Sequence, residues 1–166
     1  MALQPFFTKR PIRWGIIGCG NVTEVKSGPA YQIVEDFELA MVMRRDIAKA
    51  EAYAKRHGVS QWTNDASEVI DNPNIDAVYI ATPPDTHKMY ALLVAKAGKP
   101  CCIEKPMTPN YLDSLEVFNA FQHKDLPLFI AYYRRSLPRF NKVKEWLDNN
   151  AIGEPRHISW IKTPVP

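Results

Sequence analysis

The sequence predicts an α/β fold, a doubly wound, mostly parallel sheet with helices on both faces. Three observations predict it. Short apolar runs alternate with longer stretches of helical spacing, and those stretches are long enough for crossovers. The run at 75–81 is apolar throughout but for Asp76, rather than alternating, as expected of a strand covered on both faces. A glycine turn, Gly15-Ile16-Ile17-Gly18-Cys19-Gly20-Asn21-Val22-Thr23, stands where the first apolar run meets the first helical one.

Each element follows in order. The first strand is expected over 13–17. Residues 21–34 read as a helix that breaks near Ser27-Gly28, because Pro29 lacks a donor and clashes with the preceding turn. A second strand spans 37–43. The helix at 46–57 places Ile47, Ala50, Tyr53 and Ala54 at helical spacing and closes on Gly58. A brief strand at 59–63 and a short helix at 67–72, opened by Asp65 or Ser67, lead into the strand at 75–81. A helix at 86–97, capped first by Asp85 or Thr86 and closed by Gly98, precedes a strand at 100–103. A helix at 109–123, a strand at 126–132 and an amphipathic helix at 140–149 complete the series. Gly153-Glu154-Pro155 stops the last helix, and 156–162 alternates as a new strand would. The glycine turn makes 1–152 a candidate dinucleotide-binding domain, and 153–166 reads as the start of something larger; the alternative is an edge strand added to the same sheet.

Composition narrows the function classes. A chain of 166 residues buries one good core, and its 46% hydrophobic and 23% charged content is globular. The net charge of +3 is spread among acidic residues rather than gathered in a stripe, which argues against nucleic acid as partner. Cys19, Cys101 and Cys102 read as reduced core residues of an intracellular protein. No run approaches the roughly 18 apolar residues of a membrane span, and residues 1–11 lack the apolar core of a signal peptide. A soluble, cytoplasmic domain with no membrane partner is expected. His57, His87, His123 and His157 have no ligand spacing, so no metal site is expected.

Four segments carry the chemistry. Gly18 permits a tight turn and Gly20 lets backbone approach a pyrophosphate, as in the phosphate-binding turn of a Rossmann sheet; Thr23 takes the place of the third glycine. The same turn occurs in methyltransferases and in purely structural settings. The second strand ends in Arg44-Arg45, where a binder of the unphosphorylated dinucleotide places an acid. An arginine fork suits a 2′-phosphate, which favours NADP(H) over NAD(H); the alternative is a pair of solvated surface charges. Asp46 belongs to a helix cap. Thr82-Pro83-Pro84-Asp85-Thr86-His87 follows the 75–81 strand at its carboxyl end, and an exposed first-turn His87 could reach nicotinamide or substrate. Glu104-Lys105-Pro106 ends the next strand on the same edge, where Lys105 can donate to a substrate oxygen or handle a proton.

With these segments in place, nearly the whole chain resembles the Gfo/Idh/MocA family of oxidoreductases. The resemblance rests on the glycine turn, Ala81-Thr82-Pro83-Pro84 with His87, Ala97-Gly98-Lys99-Pro100, Glu104-Lys105-Pro106 and Gly153-Glu154-Pro155. It implies that Gly18, Gly20, Asn21 and Val22 hold the pyrophosphate and that Thr82, Pro83 and His87 line the cofactor. Glu104 would contact the ribose or the nicotinamide side, with Lys105 beside nicotinamide and substrate as a catalytic residue. Arg134, in Tyr132-Tyr133-Arg134-Arg135, would border the active site. Arg44 departs from the acid that many members carry. The family's second α/β domain, which completes the substrate pocket and usually the oligomer interface, would follow Gly153-Glu154-Pro155; a homo-oligomer is implied for the longer protein. The expected activity is hydride transfer between nicotinamide and a hydroxyl or carbonyl carbon of a sugar, polyol or related small molecule. A module that binds NADP(H) without turnover is the alternative, and an S-adenosylmethionine-dependent methyltransferase is disfavoured by the paired arginines.

Overall fold

The computed structural model describes residues 6–8 and 10–161. The chain divides into two compact units, one ending at Ala131 and one beginning at Tyr132.

The first unit is built on a parallel sheet. Its strands are β1 (Ile12–Ile17), β2 (Phe37–Met43), β3 (Gln61–Thr63), β4 (Ala77–Ile80), β5 (Cys101–Ile103) and β6 (Leu128–Ile130). They lie in the order β3-β2-β1-β4-β5-β6, every neighbouring pair parallel. The chain works outward from β1 in one direction, then returns to β4 and works outward in the other. That reversal between β1 and β4 is the switch point at which ligands bind in such sheets.

Side-chain alternation feeds two cores. From β1 and β4, Trp14, Ile16, Ala77 and Tyr79 face one layer, with Leu39 and Val42 of β2 and Tyr53 and Ala54 of α3 (Ile47–His57). On the other face, Ile17, Val78, Ile80 and Ile103 meet Val69 of α4 (Ala66–Ile70), Val94 of α5 (Pro84–Lys96) and Phe121 of α6 (Tyr111–Gln122). Full burial of each such aliphatic side chain stabilises by about 1.5–3 kcal/mol. Cys19 and Cys101 are buried and Cys102 half-buried, and all three are free thiols. Asp46 and Asp65 cap α3 and α4 through hydrogen bonds from Lys49 N and Ser67 N.

The first helical stretch is interrupted, as Pro29 requires. α1 covers Asn21–Val25 and α2 covers Ser27–Ile33, with Lys26 between them. A continuous helix would need Pro29 to donate to Val25 O, which it cannot do; restarting at Ser27 moves Pro29 into a first turn, where the donor is not missed. Gly28 fixes the spacing, since a Cβ there would overlap Thr23 O and the Tyr53 hydroxyl.

In the second unit a 3-10 turn at Tyr133–Ser136 precedes α7 (Pro138–Asp148). α7 begins two residues earlier than its periodicity suggests because Pro138 suits the first helical position. The strand expected over 156–162 is absent at 156–161, and Lys162 lies outside the described residues. Alternating side chains make a strand only where another strand completes its backbone hydrogen bonds. Among the described residues no helix is long and apolar enough to cross a membrane.

Candidate cofactor-binding site

Parallel pairing gathers the expected residues along one edge of the sheet. Ile17 is in register with Met43 and with Ile80, and Ile80 with Ile103. The residues that follow these strand ends therefore stand in a row: Arg44 after β2, Gly18 after β1, Ala81 after β4 and Glu104 after β5.

Gly18 sits at the centre of that row with φ 91°. A Cβ there would lie 2.6 Å from Thr82 Cγ2 and 2.8 Å from Thr82 N, so the position excludes side chains on both conformational and steric grounds. Gly18 N and Cys19 N both donate to Met43 O, at 2.9 and 3.0 Å, which ties the turn to β2. Gly20 is different. Its backbone is extended, and a Cβ would find only Gly18 O, 3.9 Å away, in otherwise open space on the wall of a cleft. The third glycine position is filled by a fully buried Thr23, whose Oγ1 accepts from Gly20 N at 2.8 Å and donates to Gly20 O at 2.9 Å. Its carbonyl accepts from the Tyr53 hydroxyl at 3.0 Å. A threonine here closes the turn on itself and leaves the open side untouched. The N–H groups of the following Asn21 and Val22, both exposed, have no acceptor within the helix.

The cleft holds about 440 Å³. Of the residues singled out from sequence, Gly18, Gly20, Arg44, Arg45, Thr82 and Pro83 line it. Arg44 is half-buried and Arg45 exposed, and neither has a carboxylate partner among the described residues. Lys49, Thr86 and Tyr90 also line the cleft and were not anticipated. Lys49 lies in the first turn of α3, which Asp46 caps, so Arg45 stands just before that helix; Tyr90 lies four beyond Thr86 on α5. The lining acids are Asp46 and, in the first turn of α5, Asp85; Asp46, beside the arginines, accepts from Lys49 N at 3.2 Å and pairs with Lys49 Nζ at 3.1 Å. The hydrogen bond from Lys49 holds its carboxyl below the usual range. Burial pushes the Cys19 thiol up to about 11 against the pull of Arg44, so it stays protonated at neutral pH. A phosphate-bearing nucleotide fits this residue set: a glycine whose missing side chain leaves the wall open, and three cations against two acids, Asp85 and an Asp46 already paired with Lys49.

Glu104 and Lys105 lie further along the row, outside the lining of the cleft. Glu104 Oε1 accepts from the Tyr79 hydroxyl at 2.6 Å, and Oε2 accepts from Lys105 N at 3.1 Å. The Lys105 side chain is exposed and without an ion-pair partner among the described residues. Arg134 belongs to the second unit, exposed on its 3-10 turn.

His87 corrects an expectation. α5 begins at Pro84 with Pro83 as its cap, not at Thr86, and His87 is fully buried rather than exposed in a first turn. Its Nε2 lies 2.7 Å from Thr82 O and its Nδ1 3.0 Å from Pro106 O. The ring therefore bridges the loops after β4 and β5, with each nitrogen facing a backbone carbonyl at hydrogen-bond distance. It positions the edge and presents no free atom to a ligand.

Comparison with known proteins agrees with this geometry. A family model described as an oxidoreductase family with an NAD-binding Rossmann fold matches residues 12–132. "Oxidoreductase P35" of Formosa agariphila is 49% identical over 142 residues, covering 86% of this chain and 44% of that protein. The scyllo-inositol 2-dehydrogenase (NADP(+)) IolU of Bacillus subtilis is 33% identical, over 89% of this chain and 44% of its own length. An oxidoreductase from Agrobacterium radiobacter, solved in complex with NAD+, L-tartaric acid and magnesium, superposes with a TM-score of 0.81 at 25% identity, over 87% of this chain and 42% of that one. The chain thus spans less than half the length of these relatives. It belongs to the Gfo/Idh/MocA family of oxidoreductases and carries that family's NAD-binding Rossmann domain.

Proposed function

We propose that this chain is the cofactor-binding part of an NADP(H)-dependent oxidoreductase acting on a sugar, polyol or related carbonyl compound. The observation that carries the cofactor choice is the end of β2, where half-buried Arg44 lines the cleft with Arg45 and Lys49 and the nearby acid is committed to its helix cap. Guanidinium groups bind a 2′-phosphate through charge-assisted, forked hydrogen bonds and gain nothing from a ribose diol. The NADP(+) in the name of one relative supports the reading, and the inositol in it supports the substrate class.

In this reading Gly18, Gly20, Asn21 and Val22 receive the pyrophosphate, and Thr82 and Pro83 line the path toward the nicotinamide. When bound, the nicotinamide supplies or accepts the hydride. Lys105 Nζ donates a proton or hydrogen bond to the substrate oxygen as charge develops there. Glu104 accepts from the nicotinamide ribose. In the intact protein the remaining length supplies the rest of the substrate pocket and the interface of a homo-oligomer.

Side-by-side titration of the 166-residue chain with NADPH and NADH tests the assignment. NADPH is expected to bind at least about tenfold more tightly, and Arg44→Ala to remove most of that margin, as loss of a hydrogen bond to a charged group predicts. Equal affinity for the two nucleotides overturns it.

A further inference from the structure

The break between α1 and α2 places a hydroxyl where the site needs one. Ser27 opens α2, and its Oγ lies 2.9 Å from the hydroxyl of Tyr79. Tyr79 is fully buried in β4, its ring 5.2 Å from that of Tyr31. Its hydroxyl in turn lies 2.6 Å from Glu104 Oε1. A phenol has one proton to give. The short contact to a carboxylate takes that proton, so the tyrosine oxygen accepts from Ser27. Burial, and then the bond to Glu104, raise the Tyr79 pKa, so the donor is never lost at working pH. With Oε2 held by Lys105 N, both oxygens of Glu104 are anchored and the plane of the carboxylate is set. The remaining lone pairs stay available to a ligand.

We propose that Tyr79 and Ser27 are positioning residues, whose linked hydroxyls hold the Glu104 carboxylate in the orientation that receives the nicotinamide ribose. This rests on the reading of Glu104 as a ribose acceptor. It also gives the interrupted helix a purpose: the restart that Pro29 forces brings Ser27, at the start of α2, to the end of the same chain of hydrogen bonds that terminates at Glu104.

The test compares two ligands on the full 166-residue chain. NADPH contains the nicotinamide ribose; adenosine 2′,5′-bisphosphate lacks it. Glu104→Ala and Tyr79→Phe are each expected to weaken NADPH about fivefold to tenfold, and Ser27→Ala about twofold to threefold. All three should leave the bisphosphate within about twofold. Tyr79→Phe added to Glu104→Ala should cost nothing further, because the two act through one interaction. If Glu104→Ala weakens NADPH while Tyr79→Phe and Ser27→Ala do not, the positioning role is overturned and the Glu104 reading survives. If Glu104→Ala leaves NADPH unchanged, that reading fails and the proposal fails with it. Equal weakening of both ligands by Tyr79→Phe marks a purely structural tyrosine and also overturns the proposal. Ser27 is half-exposed, so Ser27→Ala decides the matter should the Tyr79 variant fail to fold.

Discussion

His87 shows how one residue's role depends on its face of a helix. The buried residues of α5 are His87, Ala91, Val94 and Ala95, a stripe at i, i+4, i+7 and i+8. The histidine is therefore part of an inward face, and that spacing was legible in the sequence. Reading the Thr82-to-His87 segment as a loop followed by a cap hid it, because Pro84 opens the helix two residues before the expected start at Thr86. Once inside, the ring meets carbonyls of Thr82 and Pro106, contacts between segments that no local pattern reports. Removing it leaves a cavity and at least one carbonyl without its donor. His87→Ala is expected to destabilise the chain by about 2–4 kcal/mol. Thermal unfolding should show a drop of several degrees. A histidine serving catalysis alone would leave the melting temperature unmoved, and that result would restore the earlier reading.

At the scale of elements, the α1–α2 break was readable and its partners were not. Pro29 announces the interruption from sequence alone. What Gly28 and Ser27 do is set by Thr23, Tyr53 and Tyr79, which come from three other elements and converge only in the fold. Gly28→Ala separates propensity from packing. Alanine is the better helix former by about 1 kcal/mol. Yet its Cβ would overlap Thr23 O and the Tyr53 hydroxyl, in a contact that also supports the glycine turn through Thr23. Overpacking of this kind costs about 1–3 kcal/mol or more, so net destabilisation is expected as a lower urea midpoint. A raised midpoint would show that α2 can move away freely. The strand read at 156–162 is absent at 156–161 for the opposite reason: its alternation was local, while a strand exists only with a neighbour.

Across the whole molecule, a parallel sheet separates function from stability by its two edges. Strand alternation and the glycine turn were enough to predict the fold, and hence that the segments after β1, β2, β4 and β5 meet at the carboxyl edge. Which side chains complete the cleft, Lys49 and Tyr90 among them, depended on helix rotation that the sequence does not fix. The other edge holds a different cluster. Near the start of β1, Arg13 donates from Nε, Nη2 and its backbone N to the Asp76 carboxylate, each at 2.9 Å, and from Nη1 to Asn74 Oδ1 at 3.0 Å. The side chains are 32% and 28% exposed, so solvent screens the pair only in part. The hydrogen bond from Arg13 holds the Asp76 carboxyl below its ordinary value. A lowered folded-state pKa contributes stability above the unfolded value of about 3.9, and that contribution is lost as pH falls through the folded value. Asp76→Asn is therefore expected to lower stability by about 1–2 kcal/mol at pH 7. Melting curves of the two proteins should converge as pH falls below about 4. NADPH affinity should not change, because the cluster stands at the end of the strands opposite Gly18 and Arg44. A gap in melting temperature that persists undiminished into acid would assign the effect to packing instead, and a fall in NADPH affinity would show that the two edges are not independent.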